Sequence, residues 1–133
     1  MVDQSYQNNS SDRQGLLDIE VFITIAADDF STVVNFYQQL FSKQPNACVA
    51  NVYAEFQLTS LRLGIFKPKN QQEFANSAGS GMSICIEVED LGAAIAHLSA
   101  IGYPPPGQII NASHGKEIYA CDPAGNRLIL HQS

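Results

Sequence analysis

At 133 residues the chain suits one compact domain. Its formal net charge of −6, with seven Lys and Arg spread along the whole length, offers no basic stripe for nucleic acid and no attraction to anionic membranes. No apolar run is long enough to span a bilayer, and no basic-then-apolar start marks secretion, so a cytoplasmic setting is expected. Cys48, Cys85 and Cys121 are widely spaced, odd in number and outside any CxxC or Cys/His pattern. They read as small, mostly buried hydrophobes.

Residues 1–15, MVDQSYQNNSSDRQG, are polar and aperiodic, which predicts a flexible arm. From residue 17 the pattern alternates. Val21, Ile23 and Ile25 share one face of a strand, opposite Glu20, Phe22, Thr24 and Ala26. FSTVVNFYQQLFSK (30–43) then carries Val33, Phe36, Tyr37, Leu40 and Phe41 at helical spacing, with Asp28 and Asp29 as acidic start and N-cap and Pro45 beyond the stop. VANVYAEFQL and LRLGIFK follow as two strands joined around Thr59 and Ser60. Val52, Ala54, Phe56 and Leu58 share a face of the first, and Leu61, Leu63 and Ile65 share one of the second. A tight register pairs Leu58 with Leu61, which sets Gln57 beside Arg62 and Tyr53 beside Phe66. A polar linker is expected over 67–80, separating a first unit at 16–66 from a second at 81–133.

The second unit repeats the first. In GMSICIEVEDLGAAIAHLSAIG, Ile84, Ile86 and Val88 oppose Ser83, Cys85 and Glu87. Leu91, Ala94, Ile95 and Leu98 form the helical stripe, and Gly102 ends it. At an offset of about 61 residues, read from Asp29 and Asp90, Phe22 matches Ser83, Ile23 matches Ile84 and Phe30 matches Leu91. Two more strands follow YPPPG. The last hairpin turns at Asp122-Pro123-Ala124-Gly125, a type I turn whose final glycine takes a positive φ. That register opposes Asp122 to Asn126, Cys121 to Arg127, Tyr119 to Ile129 and Glu117 to His131. Leu128 and Leu130 then face the helices.

Strand, helix and strands in duplicate, ending in EIYACDPAGNRLIL, resemble the vicinal oxygen chelate superfamily of glyoxalases, bleomycin-resistance proteins and extradiol dioxygenases. The start VFITIAADDFSTVVNFYQQLF and its echo SICIEVEDLGAAIAHL carry the same resemblance, which covers about residues 17–132. It implies an α+β fold of two tandem βαβββ modules, whose strands form a cup-shaped mixed sheet with helices on the outer face. It also implies a homodimer. In metal-using members, four strands each offer a His, Glu or Gln to one ion. Position by position, these ligands fall on Phe22, on Ser83, on Ile129 and among Arg62, Gly64 and Phe66. None is a usual ligand for Zn, Mn, Fe or Ni, so the resemblance carries the scaffold without the metal cage, and no cofactor is expected.

The first functional reading is therefore metal-independent binding of a small, partly apolar or aromatic molecule in the concave cleft. Its expected lining is Phe22, Thr24, Tyr53, Glu55, Arg62, Phe66, Ser83, Cys85, Tyr119 and Ile129. Within that set Tyr119 is a hydrogen-bond donor and Arg62 a cation that needs Glu55 or a ligand as its anion. A second reading is a diverged glyoxalase-like lyase or dioxygenase, with metal donors displaced to Glu20, Glu55, Glu87, Glu117 or His131, or with a cofactor-free site. A third is a catalytically degenerate module kept for protein contacts. His131 opposite Glu117 reads as a rim pair, His114 as an exposed loop residue and His97 as a structural group on its helix.

Overall fold

A computed structural model describes residues 20–70 and 81–133; the arm expected at 1–15 and most of the linker lie outside these. Among the described residues ten elements follow in order: β1 (Ile23–Ala26), α1 (Phe30–Phe41), β2 (Ala47–Val49), β3 (Tyr53–Gln57), β4 (Arg62–Phe66), β5 (Ile84–Glu87), α2 (Leu91–Ala100), β6 (Ile110–Ala112), β7 (Gly115–Cys121) and β8 (Arg127–Gln132). They form two open four-stranded sheets, ordered β1-β4-β3-β2 and β5-β8-β7-β6. In each, the first strand pairs in parallel with the last and the remaining pairs are antiparallel. A parallel pair needs a crossover, which the helix and the following strands supply. The result is two βαβββ modules in an α+β fold. No helix among the described residues is long and apolar enough to cross a membrane.

The repeat holds residue by residue where the elements begin. β5 starts 61 residues after β1, and α2 starts 61 after α1. The 53–66 hairpin takes the tight register, with Gln57 opposite Arg62 and Tyr53 opposite Phe66. The last hairpin pairs Tyr119 with Ile129 and Glu117 with His131. Its turn closes through Gly125 N donating to the Asp122 carbonyl at 3.0 Å, and Gly125 has φ 88°. The two short strands β2 and β6 have no clear sequence signal: each is three residues long, mostly exposed, and held by its neighbour's ladder alone.

α1 lies on β4 and α2 on β8. The core is built from the apolar faces of the strands and helices: Phe30, Val33, Phe36 and Tyr37 with Ala54, Phe56, Leu63 and Ile65 from the first module, and Leu91, Leu98, Ile118, Ala120, Leu128 and Leu130 from the second. The modules are tied through α1. Tyr37 donates its hydroxyl to Asp122 Oδ2 at 2.6 Å, Phe36 meets Tyr103 edge-on at 4.9 Å, and His97 Nε2 lies 2.8 Å from the Gln39 carbonyl. His97 is thus a structural contact between modules.

Some expectations are corrected. All three cysteines are exposed. Cys48 sits on the thin edge strand β2, and Cys85 and Cys121 project from the sheet face that the helices do not cover, so the usual burial of cysteine does not apply. Val21 and Val52 are exposed because each precedes its strand; Val52 lies in a turn closed by its own N–H on the Val49 carbonyl at 2.9 Å. Asp29 occupies the N-cap of α1 without a capping hydrogen bond, whereas Asp90 caps α2 through Ala93 N at 3.0 Å.

Candidate functional site

β1 and β5 are the edge strands of their sheets, and the space beside them is a groove of about 460 Å3. Ile23, Thr24, Ile25, Ala26 and Phe66 line it from the first module, and Met82, Ser83, Ile84, Asn126 and Arg127 from the second. An edge strand lacks a neighbour on one side, so residues from both of its faces border the groove. That is why Ile23, Ile25 and Ile84, which lie on the opposite strand faces from Thr24 and Ser83, also border it. The lining is mainly apolar with four polar groups, the usual make-up of a small-molecule site.

Thr24, Phe66 and Ser83 are the sequence-expected lining residues found in this groove. Phe22, Tyr53, Glu55 and Arg62 form a connected cluster on the same face of the first sheet. The Arg62 guanidinium stacks over the Phe22 ring at 3.9 Å, a cation–π contact. It donates to Glu20 Oε1 at 2.8 Å, while its Nε lies 3.8 Å from Glu55 Oε1. That Nε is buried and has no hydrogen-bond partner among the described residues. Tyr53 donates to Glu55 at 2.8 Å; its partial desolvation, followed by this bond, raises the phenol above its ordinary range. Cys85, Ile129 and Tyr119 form one row across the second sheet. Tyr119 is 43% exposed, beneath the Arg127 guanidinium at 5.8 Å.

Arg127 and Asn126 escaped the sequence reading. A signal existed: Arg127 opens β8 as Arg62 opens β4, and each guanidinium lies over an aromatic ring. Arg127 Nε donates to Ser83 Oγ at 2.6 Å, and no carboxylate among the described residues is within ion-pair distance of it. It is the one cationic side chain among the residues that line the groove.

Strand register narrows the one ligand position that the resemblance left among Arg62, Gly64 and Phe66. Thr24 pairs with Gly64 as Cys85 pairs with Ile129, so the hairpin position falls on Gly64. The four positions are then Phe22, Gly64, Ser83 and Ile129, and they do not fit an ion. Phe22 lies under a guanidinium, Ser83 Oγ already accepts from Arg127, and Ile129 has no lone pair. Gly64 offers no side-chain donor, and a Cβ there would come within 2.6 Å of Tyr53 Oη, so the Tyr53 ring occupies that space.

Two of the displaced donors are committed elsewhere: Glu20 and Glu55 both face Arg62. Glu87, Glu117 and His131 instead gather with His114 at the other end of the second sheet.

No protein-family model matches the sequence, and no curated protein matches it either. Solved structures do match. A glyoxalase/bleomycin resistance protein from Catenulispora acidiphila superposes with a TM-score of 0.65 at 19% identity, over 87% of this chain and 99% of its own. The fosfomycin resistance protein FosX from Listeria monocytogenes, solved with Mn(II) and a dihydroxypropylphosphonic acid, gives 0.68 at 17%, over 87% and 90%. A bleomycin-binding protein complexed with bleomycin gives 0.61 at 18%, over 86% and 98%. The chain has the vicinal oxygen chelate fold. It has paired modules and an open groove, and the four positions at which the resemblance implies ligands carry a phenyl ring, a hydrogen, a hydroxyl and a branched alkyl group.

Proposed function

We propose that this chain binds a small, partly apolar or aromatic molecule in the groove between β1 and β5, without a metal ion at the cup floor. The observation that carries the reading is the pairing of an apolar groove with floor positions that cannot ligate an ion. Ile23, Ile25, Phe66, Met82 and Ile84 supply the apolar walls. Arg127, Ser83, Thr24 and Asn126 supply the polar handles. Burial of apolar ligand surface against such walls contributes about 25 cal/mol per Å2, and a guanidinium with no carboxylate partner among the described residues adds preference for a ligand that carries an anionic or strongly accepting group.

The expected homodimer fits the exposed apolar side chains of the short edge strands, Val49 on β2 and Ile110 on β6, together with Ile109. A cytoplasmic setting remains part of the proposal, consistent with three free thiols.

Native mass spectrometry of the purified protein tests this reading by reporting retained small molecules, metal and subunit number together. A thermal-shift screen of planar aromatic acids, run with and without a chelator, follows, since a ligand that binds only the folded state raises Tm. The reading expects shifts that survive the chelator and vanish in Arg127→Ala or in a groove-filling Ser83→Trp. Shifts seen only with added divalent ion would overturn it.

A further inference from the structure

The second sheet ends in a group of titratable side chains that the groove does not use. His131 lies four residues beyond Arg127 on β8, about 13 Å along an extended strand. Opposite it on β7 is Glu117, and the turn before β7 brings in His114. We propose that His114, Glu117 and His131 form a binding site for one divalent transition-metal ion of the zinc class, with Glu87 orienting His131.

The geometry carries this assignment. One ligand atom from each of the three residues lies within 4.8 Å of the other two. His114 Nε2 and Glu117 Oε1 are 3.3 Å apart, which matches the edge of a tetrahedron with metal–ligand bonds of about 2.0–2.1 Å. The two imidazole rings lie with their centroids 5.0 Å apart, close enough for a turn of the exposed His114 side chain to bring both ring nitrogens to one ion.

A zinc-type histidine characteristically gives its other ring nitrogen to a carboxylate, which fixes the tautomer and aims the ring. His131 does this: its Nδ1 lies 2.6 Å from Glu87 Oε1. The same carboxylate is held through Oε2 by the backbone N–H of Ser133 at 3.0 Å and its hydroxyl at 2.8 Å. Nε2 is then the nitrogen turned towards the His114 loop, 3.1 Å from the His114 carbonyl. In the metal-free chain Nε2 donates its proton to that carbonyl, and an ion bound at Nε2 takes the place of this proton.

The backbone makes room for this. Gly115 has φ +135°, and a Cβ on it would stand 2.9 Å from His131 Nε2 and 2.2 Å from the Gln132 carbonyl. The Glu117 side chain is only 16% exposed, and no Lys or Arg among the described residues is within ion-pair distance of it. Two imidazoles and one carboxylate select zinc, nickel, copper or cobalt over magnesium and calcium. Three protein donors leave the remaining coordination position to water. The site is distinct from the four floor positions, lying two residues past Ile129 along β8.

The test uses the full chain, stripped of metal and titrated with Zn2+ and Co2+. The expected results are one Zn2+ per chain, with tetrahedral Co2+ bands in the visible and no thiolate-to-cobalt charge-transfer band. His114→Ala and Glu117→Gln abolish binding, Glu87→Gln weakens it by about 10–100-fold, and Arg127→Ala leaves it unchanged. His114 is on an exposed turn, and the wild-type cobalt spectrum reports the donor type without any variant. Absence of Zn2+ binding at micromolar ion, binding retained in the His114→Ala/Glu117→Gln double variant, or a thiolate band tracing the ion to the exposed cysteines would each overturn the assignment. Because the groove screen is also run with chelator, failure here is distinguishable from failure of the proposed ligand binding.

Discussion

Tyr37→Phe removes one oxygen at the junction of the modules and nothing else. Asp122 is 4% exposed, and its side chain accepts four hydrogen bonds: from Tyr37 Oη at 2.6 Å, Ala124 N at 2.9 Å, Asn126 N at 2.8 Å and Asn126 Nδ2 at 2.9 Å. Burial, reinforced by Asp122, holds the Tyr37 phenol well above its ordinary range, so it is a donor throughout the accessible pH range. In the variant the ring keeps its edge contact with Phe36 at 5.0 Å and its stacking on Phe41 at 5.8 Å. Asp122 keeps three donors, so it is not orphaned. The loss is therefore that of a single hydrogen bond to a charged acceptor, about 1.5–3 kcal/mol. Against a domain stability of roughly 5–15 kcal/mol this is large. With a urea m-value of about 2 kcal/mol/M, the unfolding midpoint falls by about 1 M at unchanged m. Asp122→Ala costs more, about 3–5 kcal/mol, because it strands the buried Tyr37 hydroxyl and unties the turn. The double-mutant cycle isolates the pair and is expected to return a coupling of about 1.5–3 kcal/mol. A midpoint shift below about 0.2 M, or a coupling near zero, would refute the argument that this contact joins the modules.

Four further outcomes are expected. In chelated buffer, the Glu87–His131 pair stabilises the fold most between about pH 4.5 and 6.5. The hydrogen bond from Glu87 raises His131 above its ordinary 6.5, a contribution present below that value and lost as pH climbs through the raised one; the bond from His131 lowers Glu87 below its ordinary 4.5, a contribution present above that value and lost as pH falls through the lowered one. The Tm difference between wild type and His131→Gln across pH checks this, and a flat difference contradicts it. Arg127→Ala weakens an anionic aromatic groove ligand by about 10–100-fold, measured by calorimetry, with little change in Tm since the side chain is exposed. Phe56→Ala, at a side chain with no exposed surface, lowers stability by about 3–5 kcal/mol in the same urea assay. Gly115→Ala costs at least about 1–3 kcal/mol, because φ +135° is strained for any side chain and the new Cβ meets the Gln132 carbonyl; an unchanged midpoint would show that the turn relaxes freely.

The sequence by itself determined the architecture, because periodicity is a local property. Alternation at Ile23–Ile25 and Ile84–Ile86, the helical stripes at Val33–Tyr37 and Leu91–Leu98, and the DPAG turn each report their own element, and their recurrence at 61 residues reports the duplication. Both hairpin registers were legible for the same reason: turn length and side-chain alternation set them. Tertiary structure alone decided the sites. Whether Arg62 stacks on Phe22, whether Arg127 reaches Ser83 across 44 residues, and whether His114 closes on Glu117 and His131 depend on which strands become neighbours and on what the edges leave open. The exposure of Cys85 and Cys121 follows the same logic, since a residue type predicts average burial but only the packed sheets decide which face the helices cover. Ligand groups are brought together by long-range pairing, and a single sequence encodes that pairing only through the fold it produces.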